Sequence, residues 1–285
     1  MDEADNPADV RAATDTERAS PDLMHAANRR AWDEAAERYE RWLPEAIELI
    51  RSGGSNLFAA ERELIGDLRG RCPRAIHLQC AGGRDTLSLW NQGADEVVGL
   101  DFSVRMLELA ARLSEAVRAP ARWIHADVLD APAELDGTGD LVYTGRGALI
   151  WLQDLDAWAA VIARLLAPGG RLVLFEGHPV EWLFDADAEG HWVATGYDYF
   201  AGPEASRGWE PGYIDRLSIP DAEQGWKFAR AWTIGEVVTA IVRAGLRLEQ
   251  LAEHPVDWWA GHGDVRAEER GRIPLSFSVV ARHSD

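Results

Sequence analysis

Residues 75–90 read AIHLQCAGGRDTLSLW, and residues 97–103 read VVGLDFS. The first stretch begins with an apolar run typical of a buried strand, passes through small residues and continues with helical spacing. A turn from a parallel strand into a helix gathers backbone N–H groups at the carboxyl edge of the sheet, where ligands bind in open α/β folds. Ala81, Gly82 and Gly83 would let a ligand approach the backbone. The stretch therefore predicts a cofactor-binding turn, with a merely tight connection as the alternative.

The rest of the chain repeats this alternation of short apolar runs and helical patterns, which predicts a parallel sheet covered by helices on both faces. The last helix, strand, loop and strand predict an antiparallel hairpin at the sheet edge. We predict five segments: a disordered tail (1–21), lid helices (22–70), a cofactor-binding core (71–178), a substrate cap rich in Trp, Gly and Asp (179–231), and the end of the core sheet (232–285).

Composition narrows the partners. The net charge of −19 argues against a nucleic-acid partner, because phosphate binding needs a basic face, and it favours a neutral or cationic small substrate. No run of about 18 apolar residues and no signal peptide is evident, so we expect a cytoplasmic protein without a membrane partner. Cys72 and Cys80 are too few for a disulfide framework or a zinc site, and no other metal-ligand spacing occurs, so we predict no metal.

Acidic residues follow two of the predicted strands. Asp101 ends the second strand of the core, just before Ser103, a good N-cap for the next helix. An acid at this place can accept hydrogen bonds from both hydroxyls of a ribose, although interaction with the helix dipole is the alternative. Asp127 follows the third strand and could accept from an exocyclic amine. Together with the turn, these positions outline an adenosine-shaped crevice.

Residues 75–176 resemble the core of a class I S-adenosylmethionine-dependent methyltransferase. More narrowly, HLQC, DTLSL, GLDFS, ADV, LLAPGG and FEGHP resemble a bacterial branch of small-molecule methyltransferases whose loop carries Gln in place of the first glycine. The resemblance implies a Rossmann-like α/β fold with a mainly parallel seven-stranded sheet, a C-terminal antiparallel hairpin and an aromatic-rich cap. On the usual loop, His77 takes the place of an acid, Gln79 and Ala81 replace the first two glycines, and Gly83 is kept.

The resemblance also implies a set of residues that bind S-adenosylmethionine. Asp101 would hold the ribose, Asp127 the adenine edge, and the lid helix would bring Trp32 and Tyr39 to the site, with ordinary helix packing as the alternative for the last two. The full predicted set is Trp32, Tyr39, Gln79, Cys80, Ala81, Gly82, Gly83, Asp101, Phe102, Met106, Ala126, Asp127, Val128, Thr144 and Gly145.

Two residues just past the fifth strand are candidate general bases, Glu176 and His178. Hydrogen bonds or ion pairs with the surrounding loops are the alternative for both. Arg146 is a candidate for binding an acidic group of the substrate or for a simple ion pair. The aromatic side chains of the predicted cap suit a planar heteroaromatic or cationic amine substrate, although they could equally form the cap's own core. The predicted substrate-binding residues are Arg146, Trp151, Tyr197, Tyr199 and Trp232.

These observations favour a methyltransferase that acts on a nitrogen or oxygen of a small metabolite, in specialised metabolism. Two alternatives stay open. An NAD-dependent oxidoreductase also places an acid such as Asp101 after a Gly-containing turn, although QCAGG lacks the GxGxxG spacing. A protein of this fold could also bind S-adenosylmethionine without transferring its methyl group. The sequence leaves the oligomeric state open.

Overall fold

The computed structural model describes residues 10–18, 20–210, 213–214, 216–257 and 261–283. Residues 1–9 and 19 of the predicted tail, and the tryptophans Trp258 and Trp259 near the end of the chain, lie outside these ranges. The helices are α1 (Asp15–Arg18), α2 (Pro21–Arg51), α3 (Ala59–Ile65), α4 (Arg84–Asn91), α5 (Val104–Val117), α6 (Leu155–Leu165), α7 (Ile234–Arg243) and α8 (Ala267–Arg270).

The strands fall into one large sheet and two small ones. They are β1 (Val10–Ala12), β2 (Arg74–Leu78), β3 (Glu96–Asp101), β4 (Ala121–His125), β5 (Gly139–Gly145), β6 (Leu166–Gly177), β7 (Phe184–Ala186), β8 (Trp192–Ala194), β9 (Glu204–Ser206), β10 (Lys227–Ala229), β11 (Leu246–His254) and β12 (Ser276–His283).

The large sheet has the order β11-β12-β6-β5-β2-β3-β4. Strands β2 to β6 run parallel, while β12 lies antiparallel between β6 and β11. Because the parallel strands share one direction, the segments after β2, β3, β4 and β5 all leave the sheet at the same edge. The predicted fold class, including the C-terminal antiparallel hairpin, is confirmed.

Each face of the sheet packs against its own layer of helices. Ala75, Val97 and Leu141 face a core formed with α2, α3, α4 and α5, whereas their neighbours Ile76 and Val98 face a core formed with α6 and α7. Adjacent residues of one strand thus enter opposite cores, as the two-residue period of a strand requires. This double burial explains why the strands read as continuous apolar runs.

The N-terminal segment departs from the predicted disorder. Val10–Ala12 pairs with Glu204–Ser206 as β1, in a small sheet completed by β10. Arg11 forms an ion pair with Glu17 and lies 4.6 Å from the ring centre of Trp226. The strand Glu204–Ser206 and Trp226 are distant in sequence, so the polar composition that suggested a disordered tail could not reveal them.

Two glycines with the same backbone conformation but different surroundings allow the cost of backbone strain to be measured apart from the cost of steric overlap. Gly83 and Gly169 both have φ of +78°, but a Cβ on Gly83 would lie 2.5 Å from Cη2 of Trp123 and 2.8 Å from Cβ of Ala110, whereas a Cβ on Gly169 would meet nothing within 4 Å. We expect Gly169→Ala to lower the free energy of unfolding by about 1 kcal/mol through left-handed strain alone. Gly83→Ala should lower it by at least about 3 kcal/mol because overlap is added. Urea denaturation measures both losses, and equal losses would contradict the packing argument.

Candidate active site

The turn between β2 and α4 has an alternating backbone conformation. Gln79, Ala81 and Gly83 have positive φ values of 56°, 43° and 78°. Two of them are not glycine, and a left-handed residue with a side chain costs on the order of 1–2 kcal/mol. The turn therefore keeps the shape expected of a three-glycine loop although only the last glycine is present. At Gly82 a Cβ would lie 2.9 Å from the ring of Tyr39, so this glycine lets the lid helix α2 approach the turn.

Gln79 links this turn to the segment after β5. Its Nε2 donates to the carbonyl oxygen of Ala148 at 2.9 Å, and this bond offsets part of the backbone strain. Its Oε1 is buried and accepts no hydrogen bond from the described residues. A buried acceptor without a donor is costly, and this oxygen lies where the turn borders a cavity.

A cavity of about 480 Å³ opens at this edge of the sheet. Eight of the residues predicted to bind the cofactor line it, together with residues from α2, from the segment before α3 and from the segment after β5. The lining residues include Trp32, Tyr39, Trp42, Asn56, Phe58, His77, Gln79, Cys80, Ala81, Arg84, Asp85, Asp101, Phe102, Gly145, Arg146, Gly147, Ala148, Trp151 and Tyr213. We call this the cofactor cavity.

Asp101 lies in the wall of the cofactor cavity, where the sequence predicts ribose binding. Its Oδ2 accepts from the N–H of Ala81 and its Oδ1 from the N–H of Ser103, both at 2.8 Å. Burial raises the pKa of Asp101 to about 6, and the two backbone N–H groups oppose the rise. At neutral pH the carboxylate is charged, and each oxygen keeps a lone pair for a hydroxyl donor.

Asp127 lies on the wall of a much smaller cavity, of about 20 Å³, that also touches Asp101 and Phe102. Its Oδ2 lies 2.9 Å from Nδ1 of His25, and its Oδ1 accepts from the N–H of Leu129 at 3.0 Å. Burial alone would raise the pKa of Asp127, but the bonds from His25 and Leu129 bring it below its usual value. His25 belongs to the lid helix α2. The carboxylate of Asp127, predicted to bind the adenine edge, is therefore contacted by a residue 102 positions away in the chain.

The opposite end of the cofactor cavity carries a buried charge network. Arg146 forms a close ion pair with Asp85, lies 3.6 Å from Oε1 of Glu61 and donates to the carbonyl oxygen of Asn56. Arg146 also has a positive φ of 58°, a strained backbone conformation that clusters at functional sites. The ion pairs match the alternative given for Arg146, and a contact between Arg146 and an acidic group of the substrate stays a prediction.

His77 occupies the position where the usual loop has an acidic residue. The carboxylate that lines this end of the cavity belongs instead to Asp85. Burial lowers the pKa of His77 to about 4, and its Nδ1 lies 2.8 Å from Oγ1 of Thr86, so the ring is neutral at pH 7. Burial alone would raise the pKa of Asp85, but the charge of Arg146, helped by a hydrogen bond from Asn56, brings it below its usual value. The negative charge at this end of the cavity is therefore on Asp85, in the first turn of α4.

A second cavity of about 470 Å³ adjoins the first and shares Gly147, Trp151 and Tyr213 with it. We call it the acceptor cavity. The cap and the small sheet β1-β9-β10 supply most of its wall. Its charged and aromatic lining residues are Trp151, Glu176, Glu181, Trp182, Phe184, Asp185, Glu204, Trp209, Glu210, Tyr213, Lys227 and His262.

Glu176 lines the acceptor cavity, but its hydrogen bonds do not suit a general base. Its two oxygens accept four backbone N–H groups, from Gly147, Ala148, Leu149 and Gly177. All four lone pairs are used, so none is left to receive a proton from a substrate. Burial raises the pKa of Glu176, while the four amide bonds oppose the rise. Glu176 is better described as the residue that positions the segment after β5.

His178 is likewise committed to the fold. Its Nε2 lies 2.8 Å from Oε1 of Glu253, and its Nδ1 accepts from the N–H of Val180 at 3.1 Å. The ring packs edge-on against Phe277 and lines neither cavity. The prediction of His178 as a base is corrected because both ring nitrogens already have partners.

Several other predicted residues lie near the site without lining either main cavity. Met106 and Thr144 are buried, Ala126 is half-buried against the core formed with α6 and α7, and Gly82 and Gly83 make room for Tyr39 and Trp123. Cys80, by contrast, lines the cofactor cavity, and burial raises the pKa of its thiol. Three aromatic residues predicted to bind the substrate have other contacts: Tyr197 packs against Trp182 with tilted rings, Tyr199 packs edge-on against Phe200, and Trp232 donates to the carbonyl oxygen of Leu152. Val128 lines the small cavity, and Trp151 lies at the junction of all three.

The residues that sequence reasoning missed carry most of the charge of the site. Asp85 was quoted only within the helical stretch DTLSL, and Lys227 is the single lysine of the chain. No motif marks the others, which come from the lid helix, the segment before α3, the start of α4 and the cap: His25, Trp42, Asn56, Phe58, Arg84, Glu181, Glu204 and Glu210. They reach the site only through tertiary packing.

The fold, the strained turn and the acid at the end of β3 are the features expected of a class I S-adenosylmethionine-dependent methyltransferase domain. Residues 75–170 match the protein family described as Methyltransferase domain. A crystal structure of an S-adenosylmethionine-dependent methyltransferase from Mesorhizobium loti superposes with a TM-score of 0.57 at 25% identity, over 81% of this chain and 99% of that one. The predicted fold, the methyltransferase domain and S-adenosylmethionine as its cofactor are confirmed by these matches.

Curated relatives share the core at higher identity. The demethylmenaquinone methyltransferase of Thermus thermophilus is 40% identical over 149 residues, which are 52% of this chain and 64% of the relative. The demethylmenaquinone methyltransferase of Lactococcus lactis is 34% identical over 122 residues, 40% of this chain and 46% of the relative. The chain thus spans less than two thirds of the length of these relatives.

The described helices include none that is long and apolar enough to cross a membrane. Within the same ranges, no group of three or more His, Cys, Asp or Glu residues is arranged to hold a metal ion.

Affinity for the cofactor product S-adenosylhomocysteine should depend on the charge of Asp101. Ribose hydroxyls donate to the carboxylate form, so affinity is full above the pKa of about 6 and is lost as the pH falls through it, by close to tenfold per pH unit below that value. Isothermal titration between pH 5 and 8 measures this. Asp101→Asn should bind weakly and lack this dependence; an identical pH profile in the variant would show that another group titrates.

Substitution of Glu176 tests whether this residue positions the segment after β5 or acts as a general base. In Glu176→Gln the side-chain NH₂ would face two backbone N–H donors, so we expect a loss of at least about 3 kcal/mol in the free energy of unfolding together with weaker S-adenosylhomocysteine binding. Chemical denaturation and titration measure the two effects. A variant with unchanged stability and cofactor affinity but a large loss of turnover would instead support Glu176 as the base.

Proposed function

We propose that the protein transfers a methyl group from S-adenosylmethionine to a nitrogen or oxygen of a small amine or heteroaromatic metabolite, in specialised metabolism. The observation that carries the proposal is the pair of adjoining cavities that share Gly147, Trp151 and Tyr213. One cavity has the size and polar groups for the cofactor, and the other has room for an acceptor. Their junction is where a methyl group would pass.

The residues of the cofactor cavity fit the three parts of S-adenosylmethionine. Asp101 has lone pairs for the ribose hydroxyls, and Asp127 with His25 faces the adenine edge through the small cavity. At the other end, Asp85 offers a carboxylate for the ammonium of the methionine part, and Arg146 offers a guanidinium for its carboxylate. Gln79 Oε1, buried without a donor among the described residues, supports a ligand at this turn.

The bound cofactor supplies a methyl group activated on a sulfonium, which reacts by in-line displacement. The chain's part is to orient and to exclude water. Glu176 holds the segment at Gly147 and Ala148 that separates the cavities, and Trp151 and Tyr213 flank the junction. Orientation of this kind supplies on the order of 7–11 kcal/mol of barrier reduction in favourable systems.

Segments outside the core would complete the site. We propose that α2 acts as a lid, because Trp32, Tyr39 and His25 reach the cofactor from it, and that the segment 179–231 forms the acceptor's cap. The net charge of −19 supports a neutral or cationic small molecule over nucleic acid, and a cytoplasmic location stays part of the proposal.

Titration of the purified protein with S-adenosylmethionine, S-adenosylhomocysteine and NAD tests the cofactor. We expect binding of the two adenosyl ligands and none of NAD. Asp101→Ala and Asp85→Asn should each weaken binding at least about tenfold by removing a charged acceptor, while Asp156→Asn, on the exposed side of α6, should not. Acceptor-dependent formation of S-adenosylhomocysteine then tests transfer. Binding of NAD alone would overturn the proposal, and cofactor binding without transfer to any acceptor would favour a non-methylating role.

A further inference from the structure

The acceptor cavity carries an imbalance of charge on aromatic walls. We propose that it binds the acceptor as a cationic amine on an aromatic skeleton and that Glu204 receives the proton from the amine nitrogen before methyl transfer. The inference rests on the proposed methyltransferase function and narrows it from nitrogen or oxygen to nitrogen.

The small sheet places Glu204 in the wall. Ala205 and Phe228 pack with Met24 and Ala27 of the lid helix, on one face of the sheet. The residues that alternate with them line the acceptor cavity from the other face: Val10, Glu204, Ser206, Lys227 and Ala229. Since side chains alternate along a strand, the packing of Ala205 against α2 requires Glu204 to point toward the cavity.

Glu204 is the least compensated acid of this wall. The side chain of Glu204 is half-buried. Its carboxylate accepts no hydrogen bond and forms no ion pair within the described part of the chain. Burial raises its pKa, with no neighbouring cation to oppose the rise. Glu176, in the same cavity, has all its lone pairs occupied by backbone N–H groups. A desolvated carboxylate that no cation of the described chain offsets favours a cationic ligand.

The remaining charges of the cavity also favour a cation. Glu181, Asp185 and Glu210 add to Glu204, whereas Lys227 contributes the one ammonium among the lining residues. Lys227 donates to the carbonyl oxygen of Gly208 and lies 4.7 Å from the ring centre of Trp209, so its charge is engaged by the wall. Burial lowers the pKa of His262, which therefore adds no positive charge at neutral pH.

Aromatic rings supply the rest of the recognition. Trp182, Phe184 and Trp209 line the cavity, and Trp151 and Tyr213 line the junction with the cofactor cavity. Trp151 and Trp209 lie 5.8 Å apart, and Trp209 and Tyr213 lie 5.9 Å apart, between ring centres. Ring faces attract cations and stack on flat skeletons. An arylalkylamine satisfies both the rings and the acids.

The reaction balances with this assignment. The ammonium nitrogen gives one proton to the Glu204 carboxylate and regains its lone pair. That lone pair forms the new N–C bond while the S–C bond of the sulfonium breaks and its electron pair stays on sulfur. The products are S-adenosylhomocysteine, a methylammonium and a protonated Glu204, which returns its proton to solvent.

The test compares three probes of one skeleton that differ only in charge: phenethylamine, phenethyl alcohol and phenylacetate. Each is titrated into protein saturated with S-adenosylhomocysteine at pH 7. We expect the amine to bind at least about tenfold more tightly than the alcohol, because the ammonium gains a charge-assisted bond, and phenylacetate to bind most weakly. Amine binding no tighter than alcohol binding, or absent altogether, would overturn the inference.

Matched variants assign the effect to Glu204. Glu204→Gln should lose at least about tenfold in amine affinity, with unchanged affinity for the alcohol and for S-adenosylhomocysteine, while Glu204→Asp should keep most of the amine affinity. Glu108→Gln, at an exposed acid of α5 that lines none of the three cavities, is the matched control and should leave these affinities unchanged. In turnover, Glu204→Gln should lower kcat by about 100-fold or more. An equal loss in Glu108→Gln, or none in Glu204→Gln, would contradict the role.

The outcomes separate this inference from the proposed function. If S-adenosylhomocysteine does not bind, the proposed methyltransferase fails. If it binds and the alcohol or the acid is the preferred ligand, the methyltransferase stands and the amine assignment fails.

Discussion

Four backbone N–H groups converge on the carboxylate of Glu176, and the geometry of the whole site depends on them. They fix the segment after β5, whose Gly147 belongs to both cavities and whose Ala148 carbonyl receives Gln79 from the other turn. A buried charge held by four donors tolerates little displacement. One carboxylate at the end of β6 thereby joins the cofactor turn, the junction and the acceptor cavity.

The cofactor cavity and the acceptor cavity differ in the charges that line them. The cofactor cavity has a neutral His77 on the strand and moves its negative charge to Asp85, where Arg146 and Asn56 hold it. The acceptor cavity keeps acids on a wall built from short strands that are far apart in the chain. The first arrangement matches a zwitterion, since opposite charges lie together, and the second matches a cation. The two cavities therefore differ in what they can recognise although they share a boundary.

The turn after β2 keeps left-handed backbone conformations at three positions although two of the three residues are not glycine. Gln79 and Ala81 occupy left-handed conformations that glycine adopts freely, and the cost is offset by the hydrogen bond to Ala148 and by the bond from the Ala81 N–H to Asp101. Gly83 is kept because Trp123 and Ala110 leave no space for a side chain. Conformational freedom alone would not require a glycine there, since Gln79 manages without one.

The sequence by itself determined the alternation of strands and helices, the order of the core, and the positions of Asp101 and Asp127 at strand ends. These properties follow from local periodicity, which depends on near neighbours and on the parallel sheet that buries both faces of each strand. Only the tertiary structure decided that Glu176 and His178 bond to the fold, that Arg146 lines the cofactor cavity beside Asp85, and that His25 and Glu204 line the cavities next to it. Those outcomes depend on which atoms compete for each lone pair, and the partners lie far apart in the chain, as do His25 and Asp127 or Ala12 and Glu204, beyond the reach of any local pattern.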